Sequence, residues 1–196
     1  MDQPIERGFA EGSSASNKII TYTNVDAAEL IGVEFEARIN LDHLVESLRM
    51  FSFGFNLSLI NSSVDIPSAE LENRQNIDPN SPSTRQLQGQ SPYMMNIDLT
   101  FNNAEWGTLM GLYFNTFGER LSTVSANLTP DVFEQPANIL DFTASQRVFT
   151  YFAINFSVKN ILNEQYSEVY RYKGNDFIYQ SYNFGRKISL GLTYSM

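Results

Sequence analysis

The chain holds one histidine, His43, and no cysteine. Disulfides, thiolate metal sites and cysteine nucleophiles are therefore excluded. His43 lies in a connection where Leu41, Leu44, Val45 and Leu48 recur at helical spacing, which predicts one helical turn. A metal or general-base site needs converging partners, and an isolated turn histidine reads as a solvated side chain. Glu34 and Glu36 share one face of a strand with Arg38, a ladder that lines a surface rather than pairing an acid with a base for hydrolysis. Asp65, Glu70, Glu72 and Asp78 fall in a long loop without the ordered spacing of a calcium loop, so they read as solvated charge. No glycine-rich phosphate loop and no Gly-x-Ser-x-Gly elbow occurs. Asn-x-Ser/Thr sequons stand at Asn56, Asn61, Asn127 and Asn155. Two of these fall inside strands, and none is read as glycosylated. The sequence thus assigns no catalytic residue, no cofactor or cofactor-binding residue and no metal ligand, and an enzyme is not expected.

One group of side chains suggests binding instead. The stretch 161–185 carries Tyr166, Tyr170, Tyr172, Phe177, Tyr179 and Tyr182. Rings in a loop either stack on sugars and chelate rings or pack the loop upon itself. Both readings stand, and no residue receives a named binding role.

Composition bounds the partners. With 196 residues the chain suits one sizeable domain, and its net charge of −9 offers no basic stripe for a nucleic acid. No run approaches the roughly 18 apolar residues of a membrane-spanning helix. Met1-Asp2-Gln3-Pro4 lacks a basic region followed by an apolar stretch, so a signal peptide is not expected. Residues 1–17 are expected to be loop-like or disordered.

The elements that carry these residues read as strands. Alternation of apolar and small polar side chains marks Lys18–Asn24, Glu29–Asn40, Phe51–Ile60, Tyr93–Phe101, Trp106–Phe117, Ile139–Arg147, Tyr151–Asn160 and Ile188–Met196. Phe51, Phe53, Phe55, Leu57 and Leu59 oppose Ser52, Gly54, Asn56 and Ser58, and the same contrast ends the chain at Ile188, Leu190, Leu192 and Tyr194. In Trp106–Phe117 the alternation is blurred by Leu109 and Tyr113. Strands of about ten residues suit a tilted crossing of a bilayer. Short turns alternate with the long connections 61–91, 121–138 and 161–185, the unequal rims of an outer-membrane barrel. Aromatic residues gather near strand ends, as interfacial girdles do.

The expected fold is all-β: an antiparallel up-and-down meander of about eight long strands, 18–196, forming part of a transmembrane β-barrel, or an open curved sheet if isolated. Two rival readings remain. One is a complete small eight-stranded outer-membrane barrel acting as an adhesin or anchor. The other is a soluble carbohydrate-binding β-sandwich burying its phenylalanine faces.

Several segments resemble the C-terminal barrel of TonB-dependent outer-membrane receptors of the kind common in the Bacteroidetes. They are Thr23 to Glu36 with its Gly32-Val33-Glu34-Phe35-Glu36; Tyr113 to Leu121; Pro130 to Pro136 followed by Leu140-Asp141; Val158-Lys159-Asn160-Ile161-Leu162-Asn163 with Tyr166; and Tyr182 with Gly185-Arg186. Together they span nearly the whole chain. The resemblance implies a portion of a barrel of about 22 strands, whose partners are the lipid bilayer, the plug domain and the remaining barrel strands. It further implies TonB, engaged indirectly through the N-terminal part, and the barrel-assembly machinery, which reads the terminal strand. The expected place is the outer membrane of a Gram-negative cell, and the expected task is uptake of an iron chelate, cobalamin or an oligosaccharide. The family usually ends on Phe, and here the last residue is Met196.

Overall fold

A computed structural model describes residues 2–10, 12–14, 17–125, 129–172 and 174–195. Asn127 and Met196 lie outside the described residues. In chain order the elements are β1 (Ile5–Phe9), β2 (Ile20–Asn24), β3 (Ala28–Asn40), two 3₁₀ turns (Leu41–His43 and Glu46–Leu48), β4 (Phe51–Asp65), α1 (Ser68–Ile77) and β5 (Thr84–Arg85). There follow β6 (Tyr93–Asn103), β7 (Thr108–Phe117), β8 (Arg120–Ser125), β9 (Val132–Glu134), β10 (Ala137–Phe149), β11 (Phe152–Lys159), β12 (Gln165–Tyr172), β13 (Asn175–Asn183) and β14 (Lys187–Tyr194).

The main sheet is an antiparallel meander in the order β14-β11-β10-β7-β6-β4-β3, with β5 paired to β4. It is open: among the described residues β3 and β14 each have one neighbour. Register aligns the apolar side chains in continuous rows. One row runs Ile39, Phe53, Leu99, Leu112, Phe142, Val158 and Ile188 across all seven strands of the meander. Because a one-residue slip would send every side chain to the other face, this row fixes the pairing. Among the described residues nothing covers this face: in the row Leu99 is 39% and Ile188 67% exposed. The Phe faces are not buried between stacked sheets, and β3 does not pair with β14, so neither the sandwich nor a closed small barrel is formed.

The opposite face is polar. Arg38, Gly54, Asp98, Tyr113 and Asp141 form one row, and Glu36, Asn56, Asn96 and Asn115 the next. Leu109 and Tyr113, which blur the alternation of β7, belong to this face, while Met110, Leu112 and Phe114 continue the apolar one. A Cβ on Gly54 would stand 2.1 Å from Asp98 Oδ1, so the glycine lets the Asp98 carboxylate lie across β4 toward Arg38.

A second sheet of six strands stands in the order β13-β12-β9-β8-β1-β2. It is built where long loops are expected. β8 follows β7 after Gly118 and Glu119, β9 precedes β10 across Gln135 and Pro136, and β12 and β13 fill the connection between β11 and β14. Two expectations are corrected here. The first wall strand, 18–24, is β2 of this second sheet and pairs with β1 instead of joining the meander. Residues 1–17 are not loop-like throughout, since Ile5–Phe9 is a strand. Its hydrophobic period is hidden because a carboxylate, Glu6, points inward where the pattern calls for an apolar residue.

β1 lies parallel to β8, with Gly8 opposite Val124 and Phe9 opposite Ser125. The pairing is extended by a side chain. Gln88 accepts from the Arg7 N–H at 2.6 Å and donates to the Arg7 carbonyl at 2.6 Å and the Ser122 carbonyl at 2.8 Å. It thereby adds a side-chain rung at Arg7 and Ser122, just beyond the end of the direct ladder. Gln88→Glu removes the donor from both carbonyl contacts. We expect about 1 kcal/mol of local loosening, read as faster amide exchange across β1 with the main sheet unchanged.

Candidate functional site

Arginine clamps cross-link the second sheet around its buried Phe9, Leu121, Val124, Val132 and Val169. α1 sets Glu70 and Arg74 one turn apart on one side, where Arg74 Nε donates to Glu70 Oε1 at 2.8 Å. Arg74 then grips Asp131 with two bonds of 2.9 and 2.6 Å and reaches the Ser125 carbonyl at 3.2 Å. On the other side Glu70 accepts from Arg85 at 2.7 Å, and Arg85 forks onto both oxygens of Glu6. The chain Glu6–Arg85–Glu70–Arg74–Asp131 ties β1, β5, α1 and the β8–β9 connection together. Glu6 is 1% and the Arg85 side chain 7% exposed. Burial alone would lower both arginine pKa values, and the surrounding carboxylates outweigh it, so both are raised.

Two further clamps flank this chain. Arg120 bonds Glu134 in a bidentate pair at 2.7 and 2.9 Å and lies over the Phe117 ring. Arg171 forks onto Glu119 at 2.6 and 2.7 Å and onto Asp176 at 2.9 and 3.0 Å. The Arg171 bonds hold the Glu119 and Asp176 carboxyls below their usual range. Carboxylates with depressed folded pKa values add stability that is complete above the unfolded carboxylate pKa of about 4 and fades as pH falls through the folded value. We therefore expect the β8–β12 junction to hold at pH 5 and to loosen below about pH 4, as amide exchange of β12 measured against pH will report.

Glu168 is buried in the same sheet and fully engaged. It accepts from the Tyr166 hydroxyl at 2.8 Å, from Gln180 at 2.5 Å and from Ser122 Oγ. Burial and the Glu168 contact push the Tyr166 phenol up, so it stays protonated as the donor. Tyr166 stacks on Tyr182 at 4.7 Å, and Tyr170 meets Tyr179 edge-on at 4.9 Å. A cavity of about 490 Å³ lies between Ile77, Pro130, Tyr170, Tyr172 and Phe177. Its lining is mostly aromatic, which suits a ligand with apolar or planar parts.

The residues singled out for chemistry are distributed otherwise. His43 is exposed in its 3₁₀ turn, with Nε2 4.0 Å from its neighbour Asp42. Glu34 accepts from Asn56 at 3.1 Å and Ser58 at 3.4 Å, and Arg38 faces Asp98 at 3.7 Å. Asn96 donates to Asn56 at 3.4 Å, and Asn115 donates to Asn96 at 2.7 Å, extending the polar ladder over four strands. Of the loop acids, Glu70 is a buried ion-pair partner rather than solvated charge. Asp78 accepts from the Asn80 N–H at 3.1 Å. Among the described residues no three metal-binding side chains gather at one point. Glu6, Arg85 and Asp131 carry no sequence signal, because each finds its partner far along the chain.

The motif 158–163 now has a structural cause. Asn160 and Asn163 adopt left-handed φ values of 54° and 57°, which asparagine tolerates better than most residues. Asn160 N–H donates to Asp141 at 2.8 Å, its side chain donates to the Gly185 carbonyl at 3.1 Å, and its Oδ1 accepts from Glu164 N–H at 2.9 Å. Gly185 stands at φ 71°, a value that favours glycine. One asparagine thus pins the bend where the β11–β14 wall passes into the β12–β13 hairpin.

Comparison with known proteins agrees with this architecture. No curated protein and no solved structure matches the chain. A family model described as TonB dependent receptor-like, beta-barrel matches residues 3–161, from before β1 to the end of the Asn160 bend. The matched span carries the meander from β3 to β11, and β14 extends it by a full ladder on β11. With an open antiparallel wall, an uncovered apolar face and a family match over most of its length, this chain belongs to the TonB-dependent receptor β-barrel family.

Proposed function

We propose that the chain forms part of the wall and external vestibule of a TonB-dependent uptake receptor in the outer membrane of a Gram-negative cell. The observation that carries this is the uncovered apolar row from Ile39 to Ile188, which crosses every strand of the meander. A face of this kind in water is a large cost, and a bilayer removes it. The polar face, with its Asn ladder and the Arg38–Asp98 pair, then lines the lumen and meets the plug domain. The free edges of β3 and β14 take the remaining barrel strands, and the arginine-clamped second sheet stands above the wall as the vestibule. TonB acts on the assembly indirectly through the N-terminal part of the receptor, and the terminal strand is what the barrel-assembly machinery engages. The cargo classes that fit an aromatic vestibule are an iron chelate, cobalamin or an oligosaccharide.

The test is orientation. A fluorophore on Leu190→Cys, in a lipid nanodisc, is expected to be quenched by a lipid-soluble quencher, and one on Ser189→Cys by a water-soluble quencher. The reverse assignment overturns the reading.

A further inference from the structure

Lys18 precedes β2, and its ammonium is surrounded by rings. Nζ lies 3.9 Å from the centre of Tyr179, 5.3 Å from Tyr170 and 5.9 Å from Phe9. The rings come from β13, β12 and β1, and the strand order places β9 and β8 between β12 and β1. The six-stranded sheet must roll for Phe9 to approach Tyr179 at 6.3 Å. Among the described residues no carboxylate stands within ion-pair distance of Lys18. Among the described residues the partners of the cation are thus π faces, an arrangement that attracts ammonium groups through the ring quadrupole.

We propose that Phe9, Tyr170 and Tyr179 form a subsite for a ligand bearing an alkylammonium or quaternary ammonium head, with Lys18 as the intramolecular occupant that such a ligand displaces. The inference rests on the vestibule reading and names a chemical class of ligand for it. Three observations support exchange. Lys18 is exposed, and its flexible stem can swing the ammonium into water. The aromatic cavity of about 490 Å³ shares Tyr170 with the cage, giving the body of a ligand a place beside its head. The chain's net charge of −9 favours the approach of cations.

The test uses the full chain folded in detergent micelles, titrated calorimetrically with choline and with its neutral isostere 3,3-dimethyl-1-butanol. Choline is expected to bind about tenfold more tightly than the isostere, because only the charge separates them. Lys18→Ala removes the competitor and is expected to tighten choline binding severalfold. Tyr179→Leu, with its fold checked by circular dichroism, is expected to weaken it about tenfold, while Tyr179→Phe keeps most of the affinity. Equal binding of the two probes, no binding even in Lys18→Ala, or a choline affinity indifferent to both Lys18→Ala and Tyr179→Leu overturns the proposal. If choline fails while Leu190→Cys is quenched from lipid, the cage falls and the wall reading stands. If the quenching pattern is reversed, the wall reading falls whatever choline does.

Discussion

Arg85→Met is expected to cost about 3–5 kcal/mol of stability where β1 meets the loop carrying β5, because it leaves the Glu6 carboxylate buried without its cation. Arg85 is the hinge of the ion chain: it faces Glu6 on one side and Glu70 on the other. Glu70 keeps Arg74 when Arg85 is lost, but among the described residues Glu6 pairs with no other cation. Methionine preserves most of the stem volume, so the cost arises from the orphaned charge and not from a void. Adding Glu6→Leu to the variant removes that charge and is expected to restore most of the loss, since a buried pair replaced on both sides is often neutral. Amide exchange over Ile5–Phe9, compared among the parent, both single variants and the double variant, gives the coupling directly. A double variant as weak as Arg85→Met would show that the arginine acts by packing alone.

The second large effect belongs to the wall. Leu99→Arg places a guanidinium in the apolar row between Phe53 and Leu112, and Thr100→Arg places it one residue further on the opposite face. With the row against lipid, the first change is expected to cost about 2–4 kcal/mol in a bilayer. The second meets water and the Asp98 carboxylate, which already lies within 3.5 Å of the Thr100 hydroxyl, and is expected to be nearly neutral. Urea unfolding midpoints in lipid vesicles distinguish the two. Equal costs at positions 99 and 100 would remove the basis for assigning one face to lipid and the other to the lumen.

The two predictions differ in how far the sequence alone could have led to them. The contrast between Leu99 and Thr100 is written in β6 itself, since alternation assigns faces without any knowledge of neighbours. The same holds for β3, β4, β10, β11 and β14. Even the blurred strand β7 resolves once its partners fix which of Leu109 and Met110 continues the row. The Glu6–Arg85 pair is different. Its members are 79 positions apart, and nothing near either residue announces the other.

Local alternation therefore marked all seven strands of the meander, which of their side chains share a face, and that the faces differ in polarity, although it also counted 18–24 among them. It did so because a strand's side-chain period depends only on its own backbone. Tertiary structure alone decided the second sheet. There β1 and β2 leave the meander, β1 takes a parallel place beside β8, and Gln88 extends that pairing with its side-chain amide. These strands bury Glu6, Glu168, Thr123 and Ser125, so polarity no longer reports which way a residue faces. Besides their ladders and the buried Phe9, Leu121, Val124, Val132 and Val169, they are held by long-range ion pairs and ring contacts. The energy of each depends on two residues meeting in space, and no single stretch of sequence contains that information.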